Sequence, residues 1–429
     1  MNLMRFAYAV LTYLLSPVYA LYWFFRGISE RAYLDRFGQR FGFGYPNLTG
    51  GCIWLHAVSV GEVQAAAPLV RALARQFPER QLLITTVTPT GAARVARLFG
   101  EAVTHCYMPF ETPHSVHNFF AATRPQLALV METEIWPNLY YACGKRKIPL
   151  VLVSARISPK SVVSYRRMLP LFRETLSYGI VIAAQSAADA ERFMSLGTSP
   201  ERTSVTGNIK FDIELDAGLS GKGRDERHRL FGNRPVWIAA STHEREEEQI
   251  LTAHRLLQEK LSDALLILIP RHPERFAAVR SLLSKQQFRF VARTDEVPCT
   301  PQTEVFLGDT MGEVPLFYAA SDIAFVGGTL VPVGGHNLLE PAALGRPIIT
   351  GPHLFNTQEI ADMFAELGAS LVVESAAELA AALHALFSNR QQADEIGARG
   401  QSIVQKNRGA LQRLLLLLEP LLGDVADRP

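Results

Sequence analysis

Two successive stretches, in which short apolar runs alternate with helix-like segments, constrain the fold of this chain most strongly. In the first stretch, helical patterns such as residues 63–75, 91–99 and 187–196 separate apolar runs at residues 53–57, 82–86, 127–131, 150–154 and 180–184. Strands that helices cover on both faces read as continuous apolar runs. The alternation therefore predicts a parallel sheet between two layers of helices.

The second stretch repeats this pattern from residue 236 onwards. Helical patterns at residues 246–261 and 376–387 separate apolar runs at residues 236–240, 265–269, 305–307, 323–326, 348–349 and 370–373. Residues 216–224 lie between the two stretches and are polar and glycine-rich, which is typical of a linker. The sequence thus predicts an α/β protein with two Rossmann-like domains that face each other across a cleft, and ligands of such sheets bind beyond the carboxyl ends of the strands.

We divide the 429 residues into five segments. They are an N-terminal membrane anchor (1–26), a first Rossmann-like domain (27–213), a linker (214–235), a second Rossmann-like domain (236–405) and a C-terminal helix (406–429). The last segment is rich in leucine on several faces, so we expect it to be buried against other helices or to end the second domain as a simple terminal helix.

The N-terminal segment is apolar enough to meet a membrane. Residues 6–25 carry no formal charge and can span a bilayer. Arg5 precedes the run and four arginines follow it, a bias that keeps the following chain in the cytoplasm (Arg26, Arg31, Arg36 and Arg40). No cleavage site follows, which favours an uncleaved anchor over a signal peptide. Pro17 and the spread of aromatic residues leave open a helix that lies in the membrane interface, and a buried helix of a soluble protein is a third alternative.

Composition excludes several other classes of protein. The net charge of +2 does not suggest a nucleic-acid binder. The four cysteines are far apart without CxxC spacing, which indicates reduced thiols in a cytoplasmic compartment. No group of His, Cys, Asp or Glu has metal-ligand spacing, so we expect neither a metal nor another cofactor.

A glycine-rich stretch at residues 325–341 follows one of the predicted strands. Gly334 and Gly335 precede Asn337, a good helix-capping residue, and Pro341 fits only in the first turn of a helix. A helix that starts near Asn337 would point free amides and the positive end of its dipole into the loop, where they would stabilise an anion such as a phosphate. An ordinary capped helix after a buried strand is an equal alternative.

Charged residues follow other predicted strands. Glu62 begins the helix after the first strand, where it could act as a general base or merely complement the helix dipole, which would lower its pKa. Glu132 and Glu134 follow a third strand and are either functional or capping residues. Lys210 closes the first domain, and a lone lysine is usually solvated. In the second domain Arg271 could pair with a phosphate.

The chain resembles the Kdo transferases, which transfer 3-deoxy-D-manno-octulosonic acid (Kdo) in lipopolysaccharide synthesis of Gram-negative bacteria. The resemblance covers nearly the whole chain and rests on residues 56–62, 88–91, 131–138, 206–212, 241–244, 270–276, 308–313 and 325–341. One departure is Arg245, where the family pattern leads us to expect glycine.

The resemblance implies a GT-B fold and an inverting transfer of Kdo from CMP-Kdo to the lipid A precursor lipid IVA, at the cytoplasmic face of the inner membrane. It implies that the first domain binds the acceptor, with Glu62 as the general base and with Glu132 and Lys210 stabilising the transition state. The second domain would bind CMP through Pro270, Arg271, Met311, Gly312, Glu313, Asn337, Leu338, Leu339 and Glu340.

Three other functions stay open at this point. The chain could be a membrane-associated GT-B transferase that uses a UDP-sugar, a GT-B-like sugar-nucleotide epimerase that needs no lipid, or a non-catalytic membrane scaffold. The choice of nucleotide, the need for a lipid acceptor and the effect of changing Glu62 distinguish them.

Overall fold

The structure, a computed structural model, describes residues 3–166, 169–213 and 215–426. The parts of the predicted segments at residues 1–2, 167–168, 214 and 427–429 lie outside the described residues. The chain divides into two compact units, Met1–Asp212 with Asn407–Pro429 (unit 1) and Ile213–Lys406 (unit 2).

Unit 1 is built on a seven-stranded sheet whose strands all pair in parallel, in the order β3-β2-β1-β4-β5-β6-β7. The strands are β1 (Cys52–His56), β2 (Gln81–Thr86), β3 (Thr104–Tyr107), β4 (Pro125–Met131), β5 (Leu150–Ala155), β6 (Val181–Ala184) and β7 (Thr203–Val205). The helices before and between them are α1 (Leu3–Ser29), α2 (Val60–Gln76), α3 (Pro89–Phe99), α4 (Pro113–Thr123), α5 (Pro137–Lys145), α6 (Pro159–Arg166), α7 (Leu169–Leu176) and α8 (Ala187–Ser195).

Unit 2 has a second seven-stranded parallel sheet, in the order β10-β11-β9-β8-β12-β13-β14. Its strands are β8 (Val236–Thr242), β9 (Leu265–Pro270), β10 (Phe290–Ala292), β11 (Val305–Leu307), β12 (Ile323–Val326), β13 (Ile348–Thr350) and β14 (Ser370–Val372). Its helices are α9 (Leu219–Leu230), α10 (Glu247–Gln258), α11 (Phe276–Lys285), α12 (Val314–Ala320), α13 (Leu339–Ala343), α14 (Gln358–Glu366), α15 (Ala376–Ser388) and α16 (Arg390–Asn407).

These sheets confirm the predicted α/β class with two Rossmann-like domains. Every residue of β1, β5, β8 and β9 except Ser241 is buried, because helices cover both faces of each sheet. The sequence patterns missed β3, β7 and β10. These short strands lie at the edges of their sheets and include half-buried or exposed residues, so they lack a continuous apolar run.

Residues 214–235, which the sequence predicted to be a linker, are mostly helical in the structure, because α9 occupies most of them. A Cβ atom at Gly223 would lie 2.4 Å from the Cβ atom of Ala319 in α12, so this glycine allows two helices to pack closely. Arg227 donates to the carboxylate of Asp322 (2.9 Å) and to the carbonyl of Ala320 (3.0 Å). Gly223, one of the glycines that suggested a linker, therefore serves helix packing.

The last helix, α17 (Ala410–Ala426), belongs to unit 1 and not to the end of the second domain. Leu414, Leu418 and Leu422 are buried in the same apolar cluster as Leu55 of β1. Both carboxylate oxygens of Asp212 accept backbone hydrogen bonds of 2.6 Å, one from Gly409 and one from Leu411. A carboxylate near the start of a helix satisfies amides that have no partner within it.

The N-terminal helix α1 is the one helix among the described residues with the length and apolar composition needed to cross a membrane. Only 11% of its most apolar window is buried in the protein, which excludes the alternative of a buried helix in a soluble core.

Candidate active site

Glu62 lies just beyond the carboxyl end of β1, in the first turn of α2. Ser59 caps this helix, and its hydroxyl accepts the Glu62 amide at 3.4 Å. The Glu62 carboxylate in turn accepts the amide of Val58 at 2.8 Å and the Ser59 hydroxyl at 3.3 Å. Glu62 thus helps to cap the helix, as the simpler alternative proposed, and is also held in one orientation at the edge of the sheet.

Burial, with smaller contributions from the negative charges of Glu132 and Glu134, raises the pKa of Glu62 to about 7. The sequence argument from the helix dipole predicted a lower pKa, and that prediction is wrong. The loss of hydration of a buried carboxylate outweighs the hydrogen bonds from Val58 and Ser59, which lower the pKa. A carboxyl group with a pKa close to the working pH is well suited to take up a proton.

Glu132 and Lys210 form an ion pair at the same edge of the sheet. The ammonium group of Lys210 lies 2.7 Å from the Glu132 carboxylate, and Nε of Arg156 lies 3.5 Å from its other oxygen. Glu132 has a φ of +55°, a left-handed conformation that side chains other than glycine rarely adopt and that is often found at functional sites. Lys210 is therefore not the freely solvated lysine of the simpler alternative.

The backbone around Lys210 is tied to the end of β5. The amide of Ile209 donates to the hydroxyl of Ser154 at 3.2 Å, and the amide of Lys210 donates to the side chain of Asn208 at 3.0 Å. Ser154 also has a positive φ, of +48°. Contacts with residues far away in the sequence thus fix the position of the lysine.

In unit 2, the glycine-rich loop after β12 is organised around a buried carboxylate. Glu246 is fully buried, and its two oxygens accept the amides of Gly328 (2.7 Å), Thr329 (2.9 Å) and Leu330 (3.0 Å). The sequence predicted an anion at this loop. In the structure, an anion of the chain itself already occupies these three amides.

The helix that follows the loop is short. Asn337 caps the turn before α13, because its side chain accepts the amide of Leu339 at 3.0 Å and donates to the Glu340 carboxylate at 3.1 Å. Pro341 lies in the first turn, as predicted, but α13 has only five residues. A helix this short makes a weak dipole, so the side chains after β12 have more to contribute than the helix itself.

Arg271 follows β9 directly after the buried Pro270, and its positive charge acts on Glu340. Burial raises the pKa of Glu340, and Asn337 and Arg271 partly counter this. Leu338 and Leu339 are almost fully buried, so only their backbone atoms can contact a ligand. These residues give one edge of the unit 2 sheet a cation, a half-buried carboxylate and a polar amide.

The loop at residues 311–313 lies after β11 on the same sheet. Met311 is 47% exposed, and Gly312 has a φ of +88°, which glycine adopts readily. The Glu313 carboxylate is already bound by Arg293 at 2.7 and 3.1 Å. Glu313 can therefore offer a ligand its backbone more readily than its side chain.

Comparison with known proteins identifies the family. Residues 35–213 match the family described as 3-Deoxy-D-manno-octulosonic-acid transferase (kdotransferase), and residues 233–403 match glycosyl transferases group 1. A 3-deoxy-D-manno-octulosonic acid transferase of Haemophilus influenzae is 43% identical over 97% of this chain and 99% of its own length. The chain belongs to the Kdo transferase family. A Kdo transferase of Bordetella pertussis is 37% identical over 90% of this chain and 91% of its own length.

The family assignment makes the chain a glycosyltransferase, and solved structures agree on its fold. A UDP-GlcNAc 2-epimerase from Neisseria meningitidis aligns with a TM-score of 0.51 over 85% of this chain and 99% of its own, at 16% identity. At that identity the likeness shows the GT-B type of fold alone. The predicted resemblance and fold class of this Kdo transferase family member are both confirmed.

The family departure at Arg245 has a structural explanation. Arg245 has a φ of +67°, in the left-handed region that glycine adopts without strain. The glycine in the Kdo transferase pattern would therefore allow this backbone conformation without strain and would have no part in the reaction. With arginine at this position, the neighbouring Glu246 reaches the glycine-rich loop.

Sequence reasoning missed a histidine pair beside this loop. Nε2 of His243 and Nε2 of His336 lie 2.7 Å apart, and their rings are stacked. Burial, together with a smaller effect of nearby positive charge such as that of Arg271, lowers the pKa of His243 to about 4 and that of His336 to about 3. With both rings neutral, one can donate to the other. The sequence of this Kdo transferase family member did contain a signal for this pair, because His243 follows β8, His336 follows β12, and these two strands are neighbours in the sheet.

Among the residues that the structure describes, no group of three His, Cys, Asp or Glu side chains is arranged to hold a metal ion.

Proposed function

We propose that this chain transfers Kdo from CMP-Kdo to a sugar hydroxyl of the lipid A precursor lipid IVA, with inversion at the anomeric carbon and without a metal or other cofactor. Unit 1 supplies the base and unit 2 binds the nucleotide. The observation that carries the proposal is Glu62, a fixed carboxylate with a pKa near 7, beside the Lys210–Glu132 pair. The family membership supports Kdo as the sugar that is transferred.

In the proposed reaction, Glu62 takes the proton of the acceptor hydroxyl while that oxygen forms a bond to the anomeric carbon of Kdo. The bond from this carbon to the phosphate oxygen breaks, and CMP leaves with the electron pair. The transition state has oxocarbenium character, and Glu132 would balance its positive charge. Lys210 would hold the Kdo carboxylate or the leaving phosphate, because fixed charges stabilise a charge that develops in the reaction.

In unit 2 we propose that Arg271 pairs with the phosphate of CMP and that Glu340 accepts hydrogen bonds from the ribose. Pro270, Asn337 and the backbones of residues 311–313, 338 and 339 complete the nucleotide site. Glu246 already occupies the amides of Gly328, Thr329 and Leu330, so the main contact to the phosphate in this proposal is the side chain of Arg271.

We further propose that the chain works at the cytoplasmic face of the inner membrane, with α1 as its membrane contact. CMP-Kdo is water-soluble and lipid IVA is a membrane lipid, so an enzyme that joins them needs one face at the bilayer. The exposed apolar helix α1, with the exposed Arg26 and Arg31 at its C-terminal end, supports this location.

The test is mass spectrometry of the product that the purified full chain forms from CMP-Kdo and lipid IVA, together with CMP and UDP titrations. We expect a Kdo-bearing product, and saturable binding of CMP but not of UDP. Glu62→Gln should lower the rate by about 10²- to 10⁴-fold, while CMP affinity stays the same. The exposed Glu79→Gln is the matched control and should leave the rate unchanged. Binding of UDP but not CMP, or normal turnover by Glu62→Gln, would contradict the proposal.

A further inference from the structure

Helix α1 has two opposite faces that run along its whole length. Six apolar side chains at helical spacing form the outer face, and each is more than half exposed (Leu3, Leu14, Val18, Leu21, Phe25 and Ile28). The buried residues of the helix form the inner face, and they run from Arg5 through Thr12 and Trp23 to Gly27. Residues at such spacings lie on one side of a helix, so α1 is held by one side and exposes the other.

The inner face packs against the rest of unit 1 at both ends of the helix. At the N-terminal end, the Arg5 guanidinium lies 3.3 Å from the centre of the Tyr141 ring, and Nε of Arg5 lies 3.9 Å from the Glu174 carboxylate. At the C-terminal end, the Trp23 ring stacks on Tyr33 at 5.3 Å. There, Gly27 packs so closely on Leu34 that a Cβ atom would lie 2.4 Å from it.

Contacts in the middle of the helix complete this docking. The ring of Tyr19 stacks on Phe110 at 4.1 Å. The hydroxyl of Tyr8 donates to the Glu111 carboxylate, which also accepts the amide of Leu139 at 2.9 Å. The hydroxyl of Tyr13 accepts the backbone amide of His114 at 3.2 Å. Six residues along the helix are thus attached to one folded domain.

This docking is incompatible with a helix that crosses a bilayer. At about 1.5 Å per residue, the 27 residues of α1 are ~40 Å long. A spanning orientation would carry the docked surface of unit 1, including Glu111, Glu174 and the backbone at His114, into a hydrocarbon core about 30 Å thick. Polar groups and irregular backbone exposed to lipid cost several kcal/mol each, roughly.

We infer that α1 lies in the plane of the membrane, within one leaflet of a lipid bilayer, with its outer face among the acyl chains and unit 1 resting on the headgroups. The inference rests on the proposed membrane association but not on the transfer chemistry. The exposed arginines Arg26 and Arg31 follow the apolar face, where anionic headgroups would attract them.

Pro17 fits this arrangement. A proline has no amide hydrogen, so the carbonyl of Tyr13 loses its helical partner. The hydroxyl of Ser16 donates to that carbonyl at 2.8 Å, which leaves no bare backbone acceptor next to the lipid.

Depth measurements on the full chain test the orientation. Single cysteines at Leu3→Cys, Leu14→Cys and Phe25→Cys are labelled with an environment-sensitive fluorophore in a Cys299→Ser background, since the other three native cysteines are buried. The protein is bound to phosphatidylethanolamine–phosphatidylglycerol vesicles with bromine at defined acyl positions. Leu3 and Phe25 are about 33 Å apart along the helix axis, yet we expect all three probes to be quenched at the same shallow depth.

Other quenching patterns overturn the inference in distinguishable ways. A Leu14 probe at the bilayer centre, with the other two near opposite headgroups, would show a spanning helix and leave the proposed transfer intact. No quenching at any position would overturn the membrane association itself. If lipid-free protein instead sedimented as a dimer that Leu14→Glu dissociates, and did not bind vesicles, the outer face would contact a second copy of the chain.

A charge on the outer face gives a second test. The double change Leu14→Glu with Val18→Glu should weaken flotation with the vesicles at least about tenfold, because carboxylates resist transfer to hydrocarbon. CMP affinity should not change and reports that unit 2 is folded. Leu416→Glu, on an exposed leucine of α17, is the matched control and should float like the unmodified chain. Unchanged flotation of the double variant would contradict an immersed outer face.

Discussion

The carboxylate of Glu246 accepts a hydrogen bond of 2.7 Å from the amide of Gly328, 82 residues further along the chain. With the amides of Thr329 and Leu330, this contact gives the glycine-rich loop an internal anion. These hydrogen bonds fix the backbone of the loop, and with it the start of the segment that follows.

Glu246→Gln should weaken this loop. An amide side chain presents only one acceptor oxygen, so at least one buried backbone amide loses its partner, at a cost of about 1–3 kcal/mol. We expect a lower unfolding free energy by denaturant titration and weaker CMP binding by calorimetry. Glu248→Gln changes an exposed glutamate of the same helix and should alter neither quantity. Wild-type stability of Glu246→Gln would show that the loop does not depend on the carboxylate.

The pKa of Glu62 predicts the pH dependence of the reaction. Burial raises this pKa to about 7, so the base is mostly protonated below that pH and cannot accept a proton. We expect kcat/KM to fall about tenfold per pH unit below pH 7, provided that chemistry limits the rate. CMP binding should lack this transition. A flat profile from pH 5 to 8 would exclude Glu62 as the base.

The same pKa predicts how stability depends on pH, and the direction is opposite to that of the rate, because this contribution to stability falls as the pH rises. The folded-state pKa of Glu62 lies above its usual value, so the folded state favours the protonated form. This contribution is complete below about pH 4.5 and is lost as pH rises through about 7. Glu62→Gln stays neutral at every pH. Thermal unfolding should therefore show this variant to be more stable than the unmodified chain at pH 8, and the difference in stability should be smaller at pH 5.

Lys210→Met should separate catalysis from nucleotide binding. It removes a fixed positive charge and leaves the Glu132 carboxylate with Arg156 at 3.5 Å. Loss of one such group lowers kcat by about 10²-fold or more. We expect that loss in single-turnover assays, while CMP affinity stays the same. Lys222→Met, which breaks an exposed lysine–aspartate pair in unit 2, should have no effect on kcat. An equal loss of kcat in both variants would show that the rate depends on the total charge of the protein and not on the position of Lys210.

Arg245→Gly should stabilise unit 2 without improving catalysis. A left-handed conformation costs residues other than glycine about 1–2 kcal/mol, and the greater freedom of glycine in the unfolded chain offsets part of this. We expect a gain of up to about 1 kcal/mol in denaturant unfolding. Arg245→Ala keeps the strain and serves as the control. A loss of stability in Arg245→Gly would indicate that the arginine side chain makes a stabilising contact.

The carboxyl ends of the strands could be located from the sequence because parallel strands covered on both faces read as apolar runs. Glu62 and Glu132 could therefore be placed at one edge of the first sheet, and Arg271 and residues 311–313 and 337–340 at one edge of the second. Lys210 follows β7, a strand that the apolar pattern missed. The helix within residues 214–235 could not be foreseen, since the close packing of Gly223 on Ala319 joins positions 96 residues apart.

The sequence alone determined the two parallel sheets, the family and the positions of the charged residues along the chain, because apolar periodicity and local motifs are properties of neighbouring residues. Only the tertiary structure decided the pKa of Glu62, the pairing of Lys210 with Glu132, the capture of the glycine-rich loop by Glu246 and the docking of α1. Each of these depends on burial or on partners far apart in the chain, and folding alone brings such groups together.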